Sequence, residues 1–471
     1  MRVMLVAFPL RAHFYDIVPL AWALQGAGHE VEVVSQFGMT DDDVAELIRS
    51  AGLPATALGD RADLAPLVAA RKAGRTPELS PHALAVDETY DGPNDETYDG
   101  PNDGPNVGST PDGAVGWKWN RHCMATQFAM TYPVEGLPAG HRPYVDLLVD
   151  HARSFRPDLV VWDTLCFPAA IAAREVGAAH ARFLWGRDHV GWIRAQSLGE
   201  PPRGTAPGAP AEADPLTAWL EPMLERYGHT YEEEFLLGQW SIDLTPTPMQ
   251  LPVDHPRVPV RRIPYNGAAA LPAWLREAPE RPRVCLSLGV TGRLRGPGTG
   301  NGEVSVADLL AELGDLDVDI VATLTAAELA TAGSLPANVR AVDYVPLDLL
   351  LPTCSAIIHH GGAGTYAAAA AHRVPQLIVP VPKWDEPALA RYVADRGAGL
   401  ALGPAELTPG TVRQALTRLL GDPGFREGAA ALHEEVLAIP SPRDTVPVLE
   451  ALTARHRTGF PRSHEGVRTT A

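Results

Sequence analysis

Apolar runs and helical repeats alternate along the N-terminal half of the chain. Val3 to Phe8 is almost continuously apolar, as is typical of a strand buried on both faces of a parallel sheet. Apolar residues then recur at helical spacing from Ile17 to Leu24, and Glu30 to Ser35 has the pattern of a second strand. A strand at Leu159 to Trp162 and a helix at Pro168 to Val176 continue the alternation. The pattern predicts βαβ units and an α/β half.

The alternation returns after a stretch in which prolines are dense. Residues 244–282 contain nine prolines, which interrupt regular ladders and predict an interdomain linker. Beyond it, helices are expected at Val306 to Leu313 and at Thr365 to His372. The strands expected there are Val284 to Gly289, Asp319 to Leu324, Arg340 to Tyr344, Ala356 to His359 and Gln376 to Val379.

The two halves together predict an α/β fold of two doubly wound, Rossmann-like domains that face each other across a cleft. The N-terminal domain is expected to span residues 1–243 and the C-terminal domain residues 283–454, with a flexible tail at 455–471. Open α/β sheets bind ligands at the carboxyl ends of their strands, so the site is expected between the domains.

Length and charge limit the classes of partner. The 471 residues suffice for two or three domains of roughly 150 residues each. Lys and Arg total 39 against 57 Asp and Glu, and the net charge of −18 argues against a nucleic-acid or anionic membrane surface. Residues 87–106 supply seven of the acids and no base in a repeated DETYDGPN motif, which predicts a disordered insert. A calcium site there is disfavoured because the EF-hand spacing is absent.

Neither the cysteines nor the hydropathy indicates a special compartment. The four cysteines are far apart and form no Cys-x-x-Cys pair, so reduced thiols without a zinc site are expected. The opening residues lack a small-x-small cleavage site, and no apolar run reaches the ~18 residues of a membrane helix. We expect a cytoplasmic protein without a metal site.

The strongest chemical signal is HHGGAGT, His359 to Thr365, between a predicted strand and an alanine-rich helix. Glycines allow the backbone to approach a ligand closely, and the free N–H groups of a helix N-terminus favour phosphate. His360 can donate to a phosphate oxygen, and the Thr365 hydroxyl can cap the helix and reach the ligand. The motif predicts a diphosphate site. The alternative is a plain glycine turn with both histidines in the core.

A second polar segment, Trp384 to Pro387 (WDEP), follows the last of the expected strands. Its carboxylates, Asp385 and Glu386, can accept hydrogen bonds from sugar hydroxyl groups. Taken alone, such acids more often belong to a solvated loop or a helix N-cap.

His13 is the candidate general base. It is expected on the loop after the first strand, facing the cleft, and an imidazole is suited to removing a hydroxyl proton at neutral pH. In isolation, such a histidine is more often an ordinary surface residue. A general base of this kind needs a carboxylate to orient it, and Asp16, Asp163 and Asp188 all qualify. Asp16, in the same turn, is the first choice, with the other two left open.

These segments together resemble the GT-B glycosyltransferases that use nucleoside-diphosphate sugars. The resemblance spans nearly the whole chain and rests on VPLAWALQGAGHEV (18–31), GQWSID (238–243), YNG (265–267), VCLSLG (284–289), HHGGAGT and WDEP. The N-terminal pieces, GQWSID and YNG resemble the subgroup that decorates bacterial macrolides and anthracyclines. The resemblance implies inverting transfer of an amino or dideoxy sugar from dTDP to a hydroxyl of a polyketide aglycone, without a cofactor.

The resemblance also implies roles for particular residues. His13 matches the general base, and Val345 with Pro346 matches the wall beside the nucleobase. Asp385 and Glu386 match the acceptors of the sugar hydroxyl groups. The remaining donor-binding positions, close to the two phosphates, are Ser287, Gly289, His360, Gly361, Gly362, Gly364 and Thr365.

Acceptor binding is expected in the N-terminal domain. Trp117, Phe128, Phe167 and Trp185 offer aromatic surface for a bulky polyketide, although core packing explains such residues equally well. By resemblance, a cytochrome-like auxiliary activator protein is expected as a partner, with residues 214–239 as its docking surface. A homodimer is left open as an alternative to a monomer.

Three other functions stay open at this point. A nucleoside-diphosphate-sugar epimerase would share the two-domain build but act on the donor alone. A non-catalytic sugar-nucleotide-binding protein would keep the glycine motif and lose nothing when His13 is replaced. A nicotinamide dehydrogenase is disfavoured because the first strand-to-helix turn, FPLRAH, lacks Gly-x-Gly-x-x-Gly.

Overall fold

The computed structural model describes residues 1–36, 44–59, 124, 128, 131–137, 139–199, 215–287, 305–380, 384–403 and 406–459. The acidic repeat at 87–106 lies outside the described residues, as does most of the expected tail. Within the described residues the chain forms two α/β lobes, each built on one parallel sheet. The prediction of two doubly wound, Rossmann-like domains is confirmed.

The N-terminal lobe contains a sheet of seven described strands in the order β3-β2-β1-β4-β5-β6-β7, and every pair of neighbours is parallel. The strands are β1 (Arg2–Val6), β2 (Glu30–Gln36), β3 (Ala55–Leu58), β4 (Leu159–Asp163), β5 (Ala179–Leu184), β6 (Trp240–Asp243) and β7 (Arg257–Pro259). The helices are α1 (Arg11–Gly26), α2 (Val44–Ser50), α3 (Tyr144–Phe155), α4 (Pro168–Val176), α5 (His189–Gly199), α6 (Pro215–Ala218), α7 (Glu221–Arg226) and α8 (Glu233–Leu237), followed by a 3₁₀ turn at Thr247–Met249.

The C-terminal lobe contains six described parallel strands in the order β10-β9-β8-β11-β12-β13. They are β8 (Arg283–Ser287), β9 (Asp319–Thr323), β10 (Val339–Val342), β11 (Ala356–His359), β12 (Gln376–Ile378) and β13 (Gly399–Ala401). Its helices are α9 (Val306–Leu313), α10 (Ala326–Ala332), α11 (Leu347–Leu350), α12 (Ala363–Ala371), α13 (Glu386–Asp395), α14 (Pro409–Gly421) and α15 (Gly424–Leu437), and α16 (Pro442–His456) follows them in the chain. Further 3₁₀ turns lie at Ala273–Leu275 and Leu351–Thr353.

Both faces of the N-terminal sheet are covered, which is why its central strands are apolar throughout. On β1, Met4 and Val6 belong to the cluster that includes residues of α3 and α4. Val3 and Leu5 belong to the cluster that includes residues of α1 and α16. Each of these aliphatic side chains is completely buried and contributes roughly 1.5–3 kcal/mol of hydrophobic stabilisation.

The strand order reverses at one position in each sheet, and these two switch points indicate where a ligand site is expected. In the N-terminal lobe β1 lies beside β4, with β2 and β3 on one side and β5 to β7 on the other. In the C-terminal lobe β8 lies beside β11 in the same way. Crevices for ligands open at such switch points, outside the carboxyl ends of the strands. The residues that follow β1, β4, β8 and β11 are therefore placed to line these crevices.

Part of the predicted linker belongs to the N-terminal sheet. Residues Arg257–Pro259 form β7 at the edge of the sheet and pair with β6. An edge strand tolerates proline because the missing N–H is not required by a further neighbour. The interval 244–282 therefore connects the lobes only beyond Pro259.

The end of the chain returns to the N-terminal lobe instead of completing the C-terminal one. Helix α16 packs against α1, β5 and β7, and its Val446 and Leu449 are buried in the N-terminal core. The N–H groups of Thr458 and Gly459 then donate to the carbonyl of Gly177. The predicted boundaries at 454 and 455 are thus wrong, because the apolar face of α16 covers one face of the first sheet.

Among the helices in the described ranges, none combines the length and the hydropathy that crossing a membrane requires.

Replacing Leu449 tests whether α16 is part of the N-terminal lobe. We expect Leu449→Ala to lower the free energy of unfolding by about 2–5 kcal/mol, since it leaves a cavity in the core. The neighbouring Val448 is 45% exposed, so Val448→Ala is the matched control, with an effect within about 0.5 kcal/mol. Denaturant titration followed by tryptophan fluorescence measures both. Equal effects of the two substitutions would contradict the docking of α16.

Candidate active site

His13 lies in a helix and not on the predicted loop. Helix α1 begins at Arg11, directly after the extended residue Leu10, which places His13 in the first turn. Its side chain is only 11% exposed. The imidazole lies beside the rings of Phe8 and Trp185, with centroid distances of 5.3 and 4.4 Å. The aromatic walls restrict the ring to a narrow range of orientations.

Asp163 is the carboxylate partner of His13. Nδ1 of His13 lies 2.8 Å from Oδ2 of Asp163, the last residue of β4, and β4 is the neighbour of β1. The other oxygen of Asp163 accepts the N–H of Leu165 at 2.9 Å. A carboxylate opposite Nδ1 places the proton on that nitrogen and leaves Nε2 as the basic one. The pair therefore has the arrangement of an oriented general base.

The prediction that Asp16 orients His13 is wrong. Asp16 lies one turn further along α1 and forms an ion pair with Arg262. Burial raises the pKa of Asp16 above its ordinary value, although the Arg262 guanidinium opposes this shift. Asp188 is engaged as well, because its two oxygens accept from the guanidinium of Arg182 at 2.9 and 2.6 Å. The signal that favours Asp163 is its place at the end of the strand next to β1 in a doubly wound sheet.

The glycine motif opens helix α12 two residues earlier than predicted. The helix begins at Ala363, its N-cap is Gly362, and the N-cap makes no side-chain hydrogen bond. Thr365 therefore does not cap the helix, which corrects that part of the prediction. The N–H groups of the first turn lack intrahelical acceptors by geometry. A Cβ on exposed Gly364 would meet nothing within 4 Å, so the helix start faces open space suited to an anion.

His359 holds the turn that precedes this helix. Its imidazole is buried, with Nε2 3.0 Å from the Gln376 side-chain oxygen and Nδ1 accepting the N–H of Gly361 at 3.1 Å. Burial, with a smaller contribution from His360, lowers the pKa of His359 to about 3. The neutral imidazole therefore donates from Nε2 and accepts at Nδ1. The alternative prediction, which placed the histidines of the motif in the core, is thus correct for His359.

Close packing shapes the turn around His360. Gly361 has φ +95°, and a Cβ there would lie 3.1 Å from Cβ of Glu386. A Cβ on Gly362 would lie 2.7 Å from Nε2 of His360. The His360 ring is therefore folded over Gly362, next to the start of α12, where it can reach a ligand bound by the helix amides. Both glycines are needed for this approach.

Asp385 and Glu386 lie at the start of α13, next to the glycine turn. Asp385 accepts the backbone N–H of Arg187 at 2.9 Å and contacts Nε2 of His189 at 2.7 Å. Burial alone would raise the pKa of Asp385, but the charge and hydrogen bond of His189 and the Arg187 N–H hold the pKa below its ordinary value. Through Asp385, the WDEP segment of the C-terminal lobe is thus hydrogen-bonded to the N-terminal lobe, which carries His13.

The other predicted donor-binding residues lie at or after the carboxyl ends of strands in the C-terminal sheet. Ser287 ends β8 directly beside His359 in the parallel pairing. Val345 and Pro346 precede α11, and the Val345 side chain packs into the core of the lobe. A nucleobase could meet only the backbone of Val345, whereas the neighbouring Tyr344 is 42% exposed. Gly289 lies outside the described residues.

Two of the predicted acceptor residues belong to the core. Phe128 and Phe167 are fully buried and pack edge to face at 4.5 Å, and both contact the Trp219 ring. Their assignment to the acceptor surface is therefore wrong, because both rings are enclosed in the N-terminal core with the Trp219 ring. Trp185, half-buried against His13, is well placed to meet an acceptor. Trp117 lies outside the described residues.

No metal cluster is visible in the part of the chain that the structure describes. Nowhere in those ranges do three His, Cys, Asp or Glu side chains group together as a metal ion would require.

Comparison with known proteins decides the family. Residues 119–289 match the N-terminal domain model of the erythromycin biosynthesis protein CIII-like family, and residues 307–452 match its C-terminal domain model. The chain belongs to this family. It is a glycosyltransferase.

The relatives of this glycosyltransferase align along nearly its whole length. It is 43% identical to the 10-deoxymethynolide desosaminyltransferase of Streptomyces venezuelae, covering 97% of this chain and 98% of the relative. It is 42% identical to the aclacinomycin-T 2-deoxy-L-fucose transferase of Streptomyces galilaeus, covering 97% of both chains. The solved structure of the glycosyltransferase VinC in complex with dTDP has a TM-score of 0.75 at 37% identity, covering 97% of this chain and all of VinC. These likenesses confirm the GT-B fold and support transfer over epimerisation.

Replacing the two candidate carboxylates separates their roles in this glycosyltransferase. We expect Asp163→Asn to lower kcat by about 10²-fold or more, because an amide N–H opposite Nδ1 favours the wrong imidazole tautomer. Asp16→Asn should lower kcat by less than about tenfold, since it disturbs a buried ion pair beside the base and not the hydrogen bond of the base, and its main cost should be in stability. Single-turnover assays with saturating substrates measure the rates, and thermal unfolding checks that both variants fold. A larger loss for Asp16→Asn would contradict the assignment.

Proposed function

We propose that this glycosyltransferase moves a deoxysugar, an amino or dideoxy sugar, from dTDP to a hydroxyl of a polyketide aglycone. The names of the two relatives, which describe transfer of desosamine and of 2-deoxy-L-fucose, support a deoxysugar donor. The dTDP bound by VinC supports the nucleotide. The observation that carries the proposal is the hydrogen-bonded pair of His13 and Asp163 at the switch point of the N-terminal sheet.

His13 acts on the acceptor. Nε2 takes the proton of the acceptor hydroxyl as its oxygen attacks the anomeric carbon from the face opposite the diphosphate. The bond between that carbon and the diphosphate oxygen breaks, its electron pair leaves with dTDP, and the configuration inverts. Asp163 stabilises the imidazolium that forms and holds its ring in place.

The start of α12 acts on the leaving group. The N–H groups of Ala363, Gly364 and Thr365 point out of the helix, and its dipole favours negative charge at this end. These groups, with His360, are suited to stabilise the charge that grows on the diphosphate as the bond breaks. Because His359 fixes the Gly361 N–H, the turn is organised before the ligand arrives.

The sugar and the nucleobase would lie on either side of the diphosphate. Asp385 and Glu386, next to the glycine turn, are proposed to accept hydrogen bonds from the sugar. Ser287, the Val345–Pro346 backbone and the exposed Tyr344 ring are proposed to line the nucleotide. Trp185, beside His13, is proposed to contact the aglycone.

Some expectations about partners extend this proposal. We propose a cytochrome-like activator protein on the surface of α6 to α8, where Glu221, Glu225 and Glu232 are exposed. We also propose function in the cytoplasm without a cofactor, and a homodimer as the alternative to a monomer. Assays with and without a candidate activator address the first point, and light scattering addresses the last.

A mass-spectrometric screen of dTDP-deoxysugars against polyketide aglycones tests the proposed reaction. We expect a glycosylated product with at least one pair, and His13→Ala should reduce transfer by about 10²-fold or more. The variant should bind dTDP normally, because His13 does not belong to the diphosphate turn. Unchanged transfer by His13→Ala would refute its role as the base and favour a different acceptor-activating group.

Substituting Gly364 tests the diphosphate site. A methyl group at this position meets no protein atom within 4 Å, so Gly364→Ala should fold normally. It projects into the space proposed for the phosphates and should weaken dTDP binding by about tenfold or more, as expected when hydrogen bonds to a charged group are lost. The matched control is Gly421→Ala at the end of α14, where a Cβ is also free of contacts. Calorimetric titration with dTDP measures both, and equal affinities would place the diphosphate elsewhere.

A further inference from the structure

Two neighbouring side chains of the C-terminal lobe dock onto the N-terminal lobe. Trp384 packs against the N-terminal core, and its ring meets the His189 ring edge to face at 5.2 Å. Asp385 follows, with Oδ2 on the Arg187 N–H and Oδ1 on Nε2 of His189. Both oxygens of Asp385, a residue of the C-terminal lobe, are thus hydrogen-bonded to the N-terminal lobe, which carries His13.

The turn that receives Asp385 is shaped for a carboxylate. A Cβ on Gly186 would overlap Oδ2 of Asp385, so glycine is required for this approach. The residues directly after Gly186 are anchored to the N-terminal lobe through Asp188. Its carboxylate accepts hydrogen bonds from the buried guanidinium of Arg182 and from the N–H of Gly191. The Arg187 side chain donates to the carbonyl of Met249. Arg187 N–H and His189 are therefore held in place independently of Asp385.

Asp385 keeps acceptor capacity after these contacts. A carboxylate offers about four lone-pair positions, and hydrogen bonds from described residues, both in the N-terminal lobe, occupy two of them. Its side chain is 13% exposed and that of His189 is 6% exposed. Because both of its oxygens are held, the carboxylate has one orientation, and the free lone pairs point in fixed directions. A hydroxyl or ammonium group of a sugar would then find a preorganised acceptor.

We propose that His189 is a positioning residue for the donor sugar. By donating from Nε2 across the lobe junction, it fixes the Asp385 carboxylate in the orientation that receives the sugar. This inference rests on the proposed role of Asp385 in sugar binding. It follows that the sugar subsite is complete only when the lobes are docked, whereas the diphosphate site at α12 is formed within one lobe.

Binding measurements on His189 variants test the inference. We expect His189→Ala to weaken binding of dTDP-desosamine by about tenfold or more, the range for losing a hydrogen bond to a charged group, with dTDP affinity unchanged. His189→Gln should recover most of the loss, since its amide N–H reaches the position of Nε2. In assays with dTDP-desosamine, the KM for the donor should rise more than kcat falls. His151→Ala is the matched control, because it removes another histidine–carboxylate pair, with Glu32, outside the site.

The outcomes separate this inference from the proposed function. Equal weakening of dTDP and dTDP-desosamine in His189→Ala, or no recovery in His189→Gln, would overturn the positioning role and indicate a merely structural one. If Asp385→Asn weakens dTDP-desosamine binding while His189→Ala does not, the inference fails and the proposed role of Asp385 stands. If Asp385→Asn changes neither affinity, the proposed role of Asp385 fails, and the inference about His189 fails with it.

Discussion

The buried ion pair between Arg182 and Asp188 fixes the segment on which both halves of the site depend. Burial would raise the pKa of Asp188, but the Arg182 guanidinium keeps it below its ordinary value, so the pair stays charged inside the lobe. Removing one partner of such a pair costs about 3–5 kcal/mol, because an uncompensated charge remains. Residues 185–189 are therefore rigid: one end places the Trp185 ring on His13, and the other presents Arg187 N–H and His189 to Asp385. The single turn at residues 185–189 therefore contacts both the general base, His13, and the C-terminal segment that carries Asp385.

Burial gives the two adjacent histidines of the glycine motif different chemistry. His359 ends a strand inside the sheet, and burial keeps it neutral with a pKa of about 3. It can therefore accept the Gly361 N–H at neutral pH. His360, one residue later, leaves the sheet and is half-buried over Gly362. The end of the strand thus separates a histidine that holds the turn from one that lies beside the start of α12, although both are the same residue type in the sequence.

The fold, and the position of the glycine motif between a strand and a helix, could be predicted from the sequence, because both rest on local signals. Helices Val306–Leu313 and Pro168–Val176 have the predicted bounds, and the glycine motif lies between strand and helix as expected. Local signals could not choose the partner of His13 among the three candidate carboxylates, because Asp163 is 150 residues away and the pairing of β1 with β4 brings it near. The sequence pattern also cannot tell that Phe128 and Phe167 pack against Trp219, since that contact joins three separate segments.

The motif Tyr265 to Gly267, in the segment that connects the lobes, makes specific contacts that depend on its residue types. The Asn266 carbonyl accepts from the Tyr344 hydroxyl, and its side-chain oxygen accepts the N–H of Asp348 at 3.3 Å. Gly267 has φ +80°, and a Cβ there would lie 2.7 Å from the Tyr15 hydroxyl oxygen. The segment is therefore wedged between α1, two residues beyond His13, and the turn proposed to hold the nucleobase. A side chain at Gly267 would strain the backbone and displace the Tyr15 ring, so the glycine lets the linker pack closely between α1 and the turn at Tyr344.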